Sequence, residues 1–326
     1  MSQTQTANRI VASANGVSRI FKSKAGVVRA LDDVSFTLRE GKTLALVGES
    51  GSGKTTAARI LLGLDRPNSG NVEILGKTLG DLSYENLRLL RRSIQVVQQD
   101  PFSQLNRRHS VERIISGPLI AFGIGDKESR RRQVIQLLES VGLEKEHLRR
   151  RPHELSGGQC QRVAIARALA LDPKIVVLDE AVSALDVSVR AQVLNLLRKL
   201  QQERGLTYLF ITHDLGVAHY VADEIAVMFR GRIVERGSRE DVFKNSRHHY
   251  TVGLLSSVPL ATPSSTKVNR DQDQSLPSPG EGDACSYRSR CALGLTREDC
   301  KSTPLQITQG TPTHSWMCHF PVPANG

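Results

Sequence analysis

The sequence predicts an α/β protein with a mostly parallel sheet covered by helices. Three short apolar runs, at 44–47, 175–178 and 207–211, are typical of buried parallel strands. Helical patterns follow the first two runs, over 55–62 and 189–200. Strands that alternate with helices in this way form parallel sheets with helices on their faces.

The pattern changes along the chain in ways that indicate its domain organisation. Helical segments with Arg-rich faces dominate from residue 101, which predicts a helical subdomain over about 101–165. Residues 259–283 are rich in Pro, Ser, Thr, Asp and Gln, which is typical of a linker. We therefore expect a main domain over 1–258 and a small cysteine-containing module over 284–326.

Composition restricts the class of protein. Of the 326 residues, 39% are hydrophobic and 24% are charged, as in a soluble globular protein. No apolar stretch approaches the ~18 residues of a membrane span, and the first ten residues lack the pattern of a secretory signal. We therefore expect a cytoplasmic protein. The formal net charge is +11, but the basic clusters lack interleaved aromatic residues, which argues against nucleic-acid binding.

A glycine-rich motif lies between the first predicted strand and the first predicted helix. Residues 48–55, Gly-Glu-Ser-Gly-Ser-Gly-Lys-Thr, match the phosphate-binding pattern G-x-x-x-x-G-K-[ST] in that context. Backbone N–H groups of such a loop, and the positive end of the following helix, attract phosphates. We expect Lys54 to reach the β- and γ-phosphates of ATP, and Thr55 to place its hydroxyl on Mg²⁺.

Two carboxylates, Asp179 and Glu180, directly follow the second predicted strand. A carboxylate at the C-terminal end of a parallel strand can face the ligand crevice of the sheet. Asp179 is therefore a candidate ligand of Mg²⁺, and Glu180 a candidate for polarising the water that attacks the γ-phosphate. The pair is a weak signal alone and a strong one beside a phosphate loop.

A second glycine-rich turn points to a family. Residues 155–159, Leu-Ser-Gly-Gly-Gln, resemble the signature of ABC ATPases, and a helical run over 160–170 follows them. The resemblance implies a nucleotide-binding domain with a RecA-like parallel core, an antiparallel β subdomain and a helical subdomain. It also implies that two subunits pair head to tail, with each ATP between the phosphate loop of one and the signature of the other.

Other positions resemble further motifs of the same family, in the same order along the chain. Gln99, before Asp-Pro-Phe, resembles the Q-loop glutamine, and residues 183–186 resemble the D-loop that crosses the dimer interface. His213 resembles the switch histidine that contacts the γ-phosphate. Phe21 is the candidate for the aromatic side chain that stacks on adenine.

The motifs and the resemblance together assign four kinds of role. Catalysis is expected from Lys54, Gln99, Glu180 and His213. The expected ATP contacts are Phe21, Gly48, Ser50, Gly51, Ser52, Gly53, Lys54, Thr55, Thr56, Gln99, Asp179 and His213. The expected Mg²⁺ ligands are Thr55, Gln99 and Asp179, and the expected interface residues are Ser156, Gly157, Gly158, Gln159 and Asp186.

Within the family, the chain is most similar to the ATP-binding subunits of peptide and nickel importers. The stretches 99–106, 179–189 and 248–259 carry this similarity, together with the cysteine-containing tail. It implies a peripheral protein at the cytoplasmic face of the inner membrane. Its expected partners are two membrane permease subunits, a second ATPase subunit (a paralogue or a second copy) and an extracytoplasmic solute-binding protein. Di- or oligopeptides are the expected solutes, while nickel chelates, opines and glutathione-like molecules remain open.

Two other function classes share some of these features. Soluble ABC proteins that act on ribosomes or DNA usually carry two cassettes or a long coiled coil, whereas this chain has one cassette and neither addition. A small-molecule kinase or GTPase could use the same phosphate loop. The signature turn, Gln99 and His213 argue against that reading.

The tail contains four of the five cysteines, Cys285, Cys291, Cys300 and Cys318. Four thiolates can enclose a [4Fe–4S] cluster or Zn²⁺, and a reducing cytosol disfavours disulfides. The spacing lacks the close C-x2-C pairs of common zinc modules, and the resemblance favours a cluster. Zinc and unmetallated thiols remain alternatives, with His314 and His319 as spare ligands.

The fifth cysteine, Cys160, follows the signature turn directly, where relatives usually have a larger polar or basic residue. A redox role there would require an exposed thiol with a lowered pKa. The alternative is that cysteine at this position is a substitution without functional effect.

Overall fold

The computed structural model describes residues 9–23, 26–256 and 284–323, so the predicted linker at 259–283 lies outside the described residues. Its strands are β1 (Ile10–Ser23), β2 (Gly26–Arg39), β3 (Thr43–Val47), β4 (Ser69–Ile74), β5 (Lys77–Thr78), β6 (Ile94–Val97), β7 (Ile175–Asp179), β8 (Thr207–Thr212), β9 (Glu224–Phe229), β10 (Arg232–Ser238), β11 (Thr308–Gln309) and β12 (Ser315–Trp316).

The helices follow in the same order. They are α1 (Lys54–Leu61), α2 (Tyr84–Leu90), α3 (Pro101–Gln104), α4 (Val111–Ala121), α5 (Lys127–Ser140), α6 (Gly157–Leu169), α7 (Val187–Arg204), α8 (Leu215–Val221), α9 (Arg239–Lys244), α10 (His249–Leu255), α11 (Ala292–Thr296) and α12 (Asp299–Ser302). None of the helices in the described ranges combines the length and hydropathy that a bilayer-spanning segment requires.

The chain divides into two compact units. The first unit comprises 1–11, 38–42 and 74–211. Its sheet contains β6, β7 and β8, paired in parallel in that order. The apolar runs of β7 and β8 are buried, as expected for strands covered by helices on both faces.

Helices fill the part of the first unit between β6 and β7. In this described stretch, residues 98–174, there are helices α3 to α6 and short 3-10 turns but no strand. Polar side chains cap the helix starts: Ser110 begins α4, Asp126 begins α5, and Ser156 begins α6. The helical pattern that the sequence predicts from residue 101 is therefore present.

The second unit comprises 12–37, 43–73 and 212–326. Strands β2, β1 and β4 lie side by side in one sheet. Elsewhere in this unit β3 pairs with β9 in parallel, and the pairing continues through antiparallel neighbours, in the order β10, β12 and β11. The fold is therefore α/β with mixed rather than purely parallel pairing.

The described residues of the tail pack within this second unit. Met317 donates a backbone hydrogen bond to Val234 (2.9 Å), and Val322 donates one to Arg247 (2.9 Å). Cys285, Tyr287 and Cys300 are buried in the same hydrophobic core as β3 and β9. Two of the tail cysteines, Cys285 and Cys300, therefore share a core with the strand that precedes the glycine-rich loop.

Candidate functional site

The glycine-rich loop connects β3 to α1. Gly53 begins the helix with φ 106°, a left-handed conformation that favours glycine. A Cβ on Gly53 would also collide with the backbone carbonyl of Ala30, and one on Gly48 with that of Met228. Two glycines of the motif are thus required by close backbone contacts, which fixes the path of the loop.

Lys54 lies at the centre of this loop with only 4% of its surface exposed. Its Nζ donates hydrogen bonds to the carbonyls of Gly48 and Glu49 (2.7 Å each) and to Ser52 Oγ (3.3 Å). Thr55, in the first turn of α1, is exposed. The loop therefore holds a buried ammonium beside an accessible hydroxyl, at the N-terminal end of a helix that favours anions.

The remaining loop residues differ in burial. Ser52 is buried, whereas Ser50 and Gly51 are exposed and Thr56 is half-buried. The loop thus presents polar groups and backbone to a ligand from one side, while its other side packs within the second unit.

Three of the candidate water-polarising and metal-binding residues lie at the ends of neighbouring strands of the first unit. Val97 of β6 is paired with Leu178 of β7. Because both strands run in parallel, Gln99 and the pair Asp179 and Glu180 leave the sheet at the same edge. The sheet thus places the three predicted polar groups of this unit at one edge.

Glu180 has a distinctive backbone conformation, with φ 49°. Its N–H donates to the carbonyl of Ile211 (3.0 Å), and its own carbonyl accepts from the N–H (3.1 Å) and the hydroxyl (2.9 Å) of Ser183. Left-handed backbone is uncommon for a residue with a side chain and is concentrated at functional sites. These bonds fix the direction in which the half-buried carboxylate leaves the strand.

The signature turn forms the N-terminus of α6. The hydroxyl of Ser156 accepts from the N–H of Gln159 (3.2 Å), and the Gln159 side chain accepts from the N–H of Ser156 (2.9 Å). A Cβ on Gly158 would lie 2.5 Å from Val189 Cγ1, so this glycine allows α6 and α7 to pack closely. Ser156 is exposed, and Gly157 is half-buried. The turn is a capped helix start that is accessible to solvent.

Cys160, directly after this turn, is fully buried. Its Sγ donates to the carbonyl of Pro152 (3.4 Å). Burial, with the nearby Asp100 carboxylate as a second cause, raises the pKa of the Cys160 thiol to about 11. The thiol meets neither condition for redox reactivity, exposure or a lowered pKa.

Three other predicted residues lie at exposed positions. Asp186 precedes α7 in the first unit, and His213 follows β8 at the start of a segment of the second unit. Phe21 in β1 is 40% exposed, and the guanidinium of Arg19 lies 4.7 Å from the centre of its ring. Each is accessible to a ligand or a partner.

Within the second unit, the four tail cysteines converge on one small cavity. Its volume is about 10 Å³, roughly the space of one water molecule. Burial, the largest cause, and the neighbouring thiols raise the pKa of Cys285 to about 11 and that of Cys318 to about 12. The donor types suit a soft metal, but no group of His, Cys, Asp or Glu in the described residues is arranged to hold one.

The two spare histidine ligands differ in position. His319 lines the cysteine cavity, and its Nε2 lies 3.1 Å from the carbonyl of Thr303. His314 does not line this cavity. Its Nε2 lies 2.9 Å from a carboxylate oxygen of the buried Glu235, so the prediction of His314 as a spare ligand is wrong.

The sequence did not identify three residues that meet at the phosphate loop. Arg290 and Glu49 form a two-bonded ion pair (2.8 and 2.9 Å). The hydroxyl of Tyr250 accepts a hydrogen bond from the N–H of Glu49 (3.0 Å). Glu49 is at a variable position of the loop pattern, and no spacing rule relates it to residues more than 200 positions later.

Comparison with known proteins agrees with these features. Residues 31–183 match the ABC transporter family, and 234–300 match the oligopeptide/dipeptide transporter C-terminal region. The dipeptide transport ATP-binding protein DppF of Escherichia coli is 47% identical over 81% of this chain and 80% of its own length. The oligopeptide transport ATP-binding protein AppF of Bacillus subtilis is 42% identical over 93% of each chain.

Solved structures give the same fold. An ATP-binding cassette solved as a dimer in a post-hydrolysis state with ADP and phosphate superimposes with a TM-score of 0.64 at 33% identity. The match covers 70% of this chain and 98% of that one. With its phosphate loop, signature turn and strand-end carboxylates, the chain belongs to the ATP-binding proteins of ABC transporters, in the group that carries the oligopeptide/dipeptide transporter C-terminal region.

Proposed function

We propose that this ABC ATPase powers the import of di- or oligopeptides. The observation that carries the proposal is the similarity, over most of the chain, to proteins named for dipeptide and oligopeptide transport. The match to the oligopeptide/dipeptide transporter C-terminal region adds to it, because that match lies outside the part common to ABC ATPases.

The proposed roles of the site residues follow from their chemistry. The buried ammonium of Lys54 and the N–H groups of residues 48–56 bind the phosphates of ATP. Glu180 polarises the attacking water, and His213 contacts the γ-phosphate. Phe21 stacks on adenine.

Mg²⁺ is the proposed metal of this site. Thr55, Gln99 and Asp179 supply oxygen atoms, which are the ligands that Mg²⁺ prefers. The ion would neutralise the charge that develops on the phosphate oxygens during hydrolysis.

We propose that two such cassettes close head to tail around two ATP molecules. Support comes from the accessible helix start at 156–159, which has the N–H groups and dipole of an anion site. Asp186 would lie at the same interface. ATP binding favours the closed pair, and hydrolysis reopens it.

The assembly and location are proposed from the family. Two permease subunits in the inner membrane would bind the cassettes at its cytoplasmic face, through the region of Gln99. An extracytoplasmic solute-binding protein would deliver the peptide, and the second cassette would be a paralogue or a second copy. The boundaries 1–258, 259–283 and 284–326, with a helical subdomain at about 101–165, are kept as proposed domains.

For the tail, we propose that Cys285, Cys291, Cys300 and Cys318 are the residues that would receive a [4Fe–4S] cluster, with Zn²⁺ as the alternative metal. Their convergence on one cavity supports the choice of donors. The cavity would have to widen, because it has room for about one water molecule. Absorption spectra and metal analysis of protein purified without oxygen test this, and a colourless, metal-free and stable sample contradicts it.

Uptake of a labelled dipeptide by cells that lack this protein tests the import function. Restoring the chain should restore uptake, and Glu180→Gln should not, because it should lower ATP turnover at least about a hundredfold while ATP binding persists. Glu203→Gln, an exposed position on α7, is the matched control. Full ATPase activity in Glu180→Gln would contradict the role of Glu180.

The same cells separate the alternative functions. Normal dipeptide uptake without the protein, with loss of nickel-chelate, opine or glutathione uptake, would move the solute to that class. Co-purification with ribosomes or DNA, and not with membrane permeases, would support a soluble ABC ATPase that does not transport.

A further inference from the structure

Glu49 places a carboxylate in the loop that must bind a highly negative ligand. Its side chain is 41% exposed, and the side chain of its partner Arg290 is 17% exposed. Without a counter-charge, a carboxylate at this position would repel the phosphates of ATP. The guanidinium of Arg290 supplies that counter-charge through two parallel hydrogen bonds, the strongest geometry for such a pair.

Arg290 is itself held in a defined position. Its guanidinium lies 5.8 Å from the ring centre of Tyr287 and 5.7 Å from that of Phe229. These two rings pack edge to face, with their centres 5.3 Å apart. Its Nε is buried and makes no hydrogen bond within the described part of the chain. The two terminal nitrogens, which donate to Glu49, therefore carry the polar contacts of the guanidinium.

Tyr250 holds the same loop residue from the backbone side. Its hydroxyl accepts the hydrogen bond from the N–H of Glu49 (3.0 Å). Its ring packs on Phe229 and Tyr287, with centres 4.6 and 5.4 Å apart. Backbone and side chain of Glu49 are thus fixed by two residues that share one aromatic cluster.

This cluster also touches the cysteine cavity. Tyr287 lines the cavity together with the four tail cysteines, and the N–H of Cys291, next to Arg290, donates to the carbonyl of Tyr287 (3.1 Å). The segment that carries Arg290 is therefore built into the cavity wall. Arg290 connects that segment to the nucleotide loop.

We propose that Arg290 is a positioning residue of the ATP site: it neutralises Glu49 and holds the carboxylate away from the phosphates. The tail is thereby part of the nucleotide-binding machinery and not an appendage to it. The inference rests on ATP binding by the loop and is independent of which solute is carried.

The test is the affinity of the full-length chain for a fluorescent ATP analogue. Arg290→Ala should weaken binding about five- to tenfold, because Glu49 is left uncompensated beside the phosphates. The double variant Glu49→Gln/Arg290→Ala should bind within about twofold of the wild type, since it removes the repelling charge as well. A purely structural role would leave both variants equally weak.

A control and a second variant keep the result interpretable. Arg236→Ala breaks a comparable ion pair of the second unit, with Glu224 at 2.9 Å, and should leave affinity unchanged. If Arg290→Ala does not fold, Arg290→Gln keeps much of the volume without the charge, and Glu49→Gln should again restore binding. Unchanged affinity in the folded Arg290 variants, or no recovery in the double variant, would overturn the proposal. A defect in peptide uptake with normal affinity would likewise overturn the proposal, and would assign Arg290 to the transport step instead.

Discussion

The phosphate loop and the signature turn are both glycine-rich segments that begin a helix, yet they are built differently. In the phosphate loop, two glycines, Gly48 and Gly53, are required by contacts with backbone carbonyls, and a buried lysine is hydrogen-bonded to the loop itself. In the signature turn, a serine and a glutamine cap the helix reciprocally, and the serine is exposed. The phosphate loop, residues 48–55, is thus a cradle for phosphates whose glycine and lysine contacts lie within the second unit of the same chain. The signature turn, residues 155–159, is an open helix end, which suits a ligand bound to another subunit.

The largest expected effect is at the cradle. Lys54→Ala should weaken ATP binding at least about a hundredfold, because it removes the buried charge and leaves two loop carbonyls without their donor. Titration with the fluorescent analogue measures this, with the exposed Lys199→Ala as control. If Lys54→Ala binds ATP within about threefold of the wild type, the buried lysine is not what makes the phosphate loop bind ATP more strongly than the signature turn does.

An intermediate effect is expected at the signature turn. Gly158→Ala should lower ATPase activity about tenfold by forcing α6 away from Val189, since overpacking costs roughly 1–3 kcal/mol. ATP binding by the single chain should stay near normal, because the cradle is intact. Val189→Ala in the same chain should restore most activity, as it removes the atom that the added methyl group would meet.

Val189→Ala alone serves as the control for this experiment. If the double variant is no more active than Gly158→Ala, the glycine is needed for something other than packing on α7. If Gly158→Ala already abolishes ATP binding by the single chain, the turn takes part in the cradle of its own subunit.

The smallest effect is expected next to the signature turn, at Cys160. Cys160→Ala should leave ATPase activity within about twofold, because within the described part of the chain the side chain makes a single long hydrogen bond. At pH 8, alkylation of this thiol in the folded chain should be at least about a hundredfold slower than that of a free cysteine. Mass spectrometry of chains treated with iodoacetamide measures it.

The pH dependence of the same thiol has a defined sign. The folded-state pKa of about 11 exceeds the ordinary value of 9.0, so the folded chain prefers the protonated thiol. Its contribution to stability is complete below pH 9 and is lost as the pH rises through 11. The midpoint of thermal unfolding of the wild type should therefore fall relative to that of Cys160→Ala as the pH rises over about pH 8–11. Rapid alkylation of Cys160 at pH 8 would contradict the burial of its thiol.

The sequence alone determined the features that depend on local order. The apolar runs predicted strands that the structure contains as β3, β7 and β8, each with one end displaced by a single residue. The loop pattern at 48–55 and the turn at 155–159 predicted helix starts at α1 and α6, because helix ends and phosphate loops require particular residues at fixed spacing. These features also sufficed to indicate the family.

Tertiary structure decided which distant residues meet. The pairing of β10 with β12 and the contact of Arg290 with Glu49 join positions some 80 and 241 residues apart. Local spacing contains no information on such pairs, since they depend on chain topology. Burial, too, depends on tertiary packing, which makes the thiol of Cys160 inert. The same packing places His314 beside Glu235 instead of beside the cysteines.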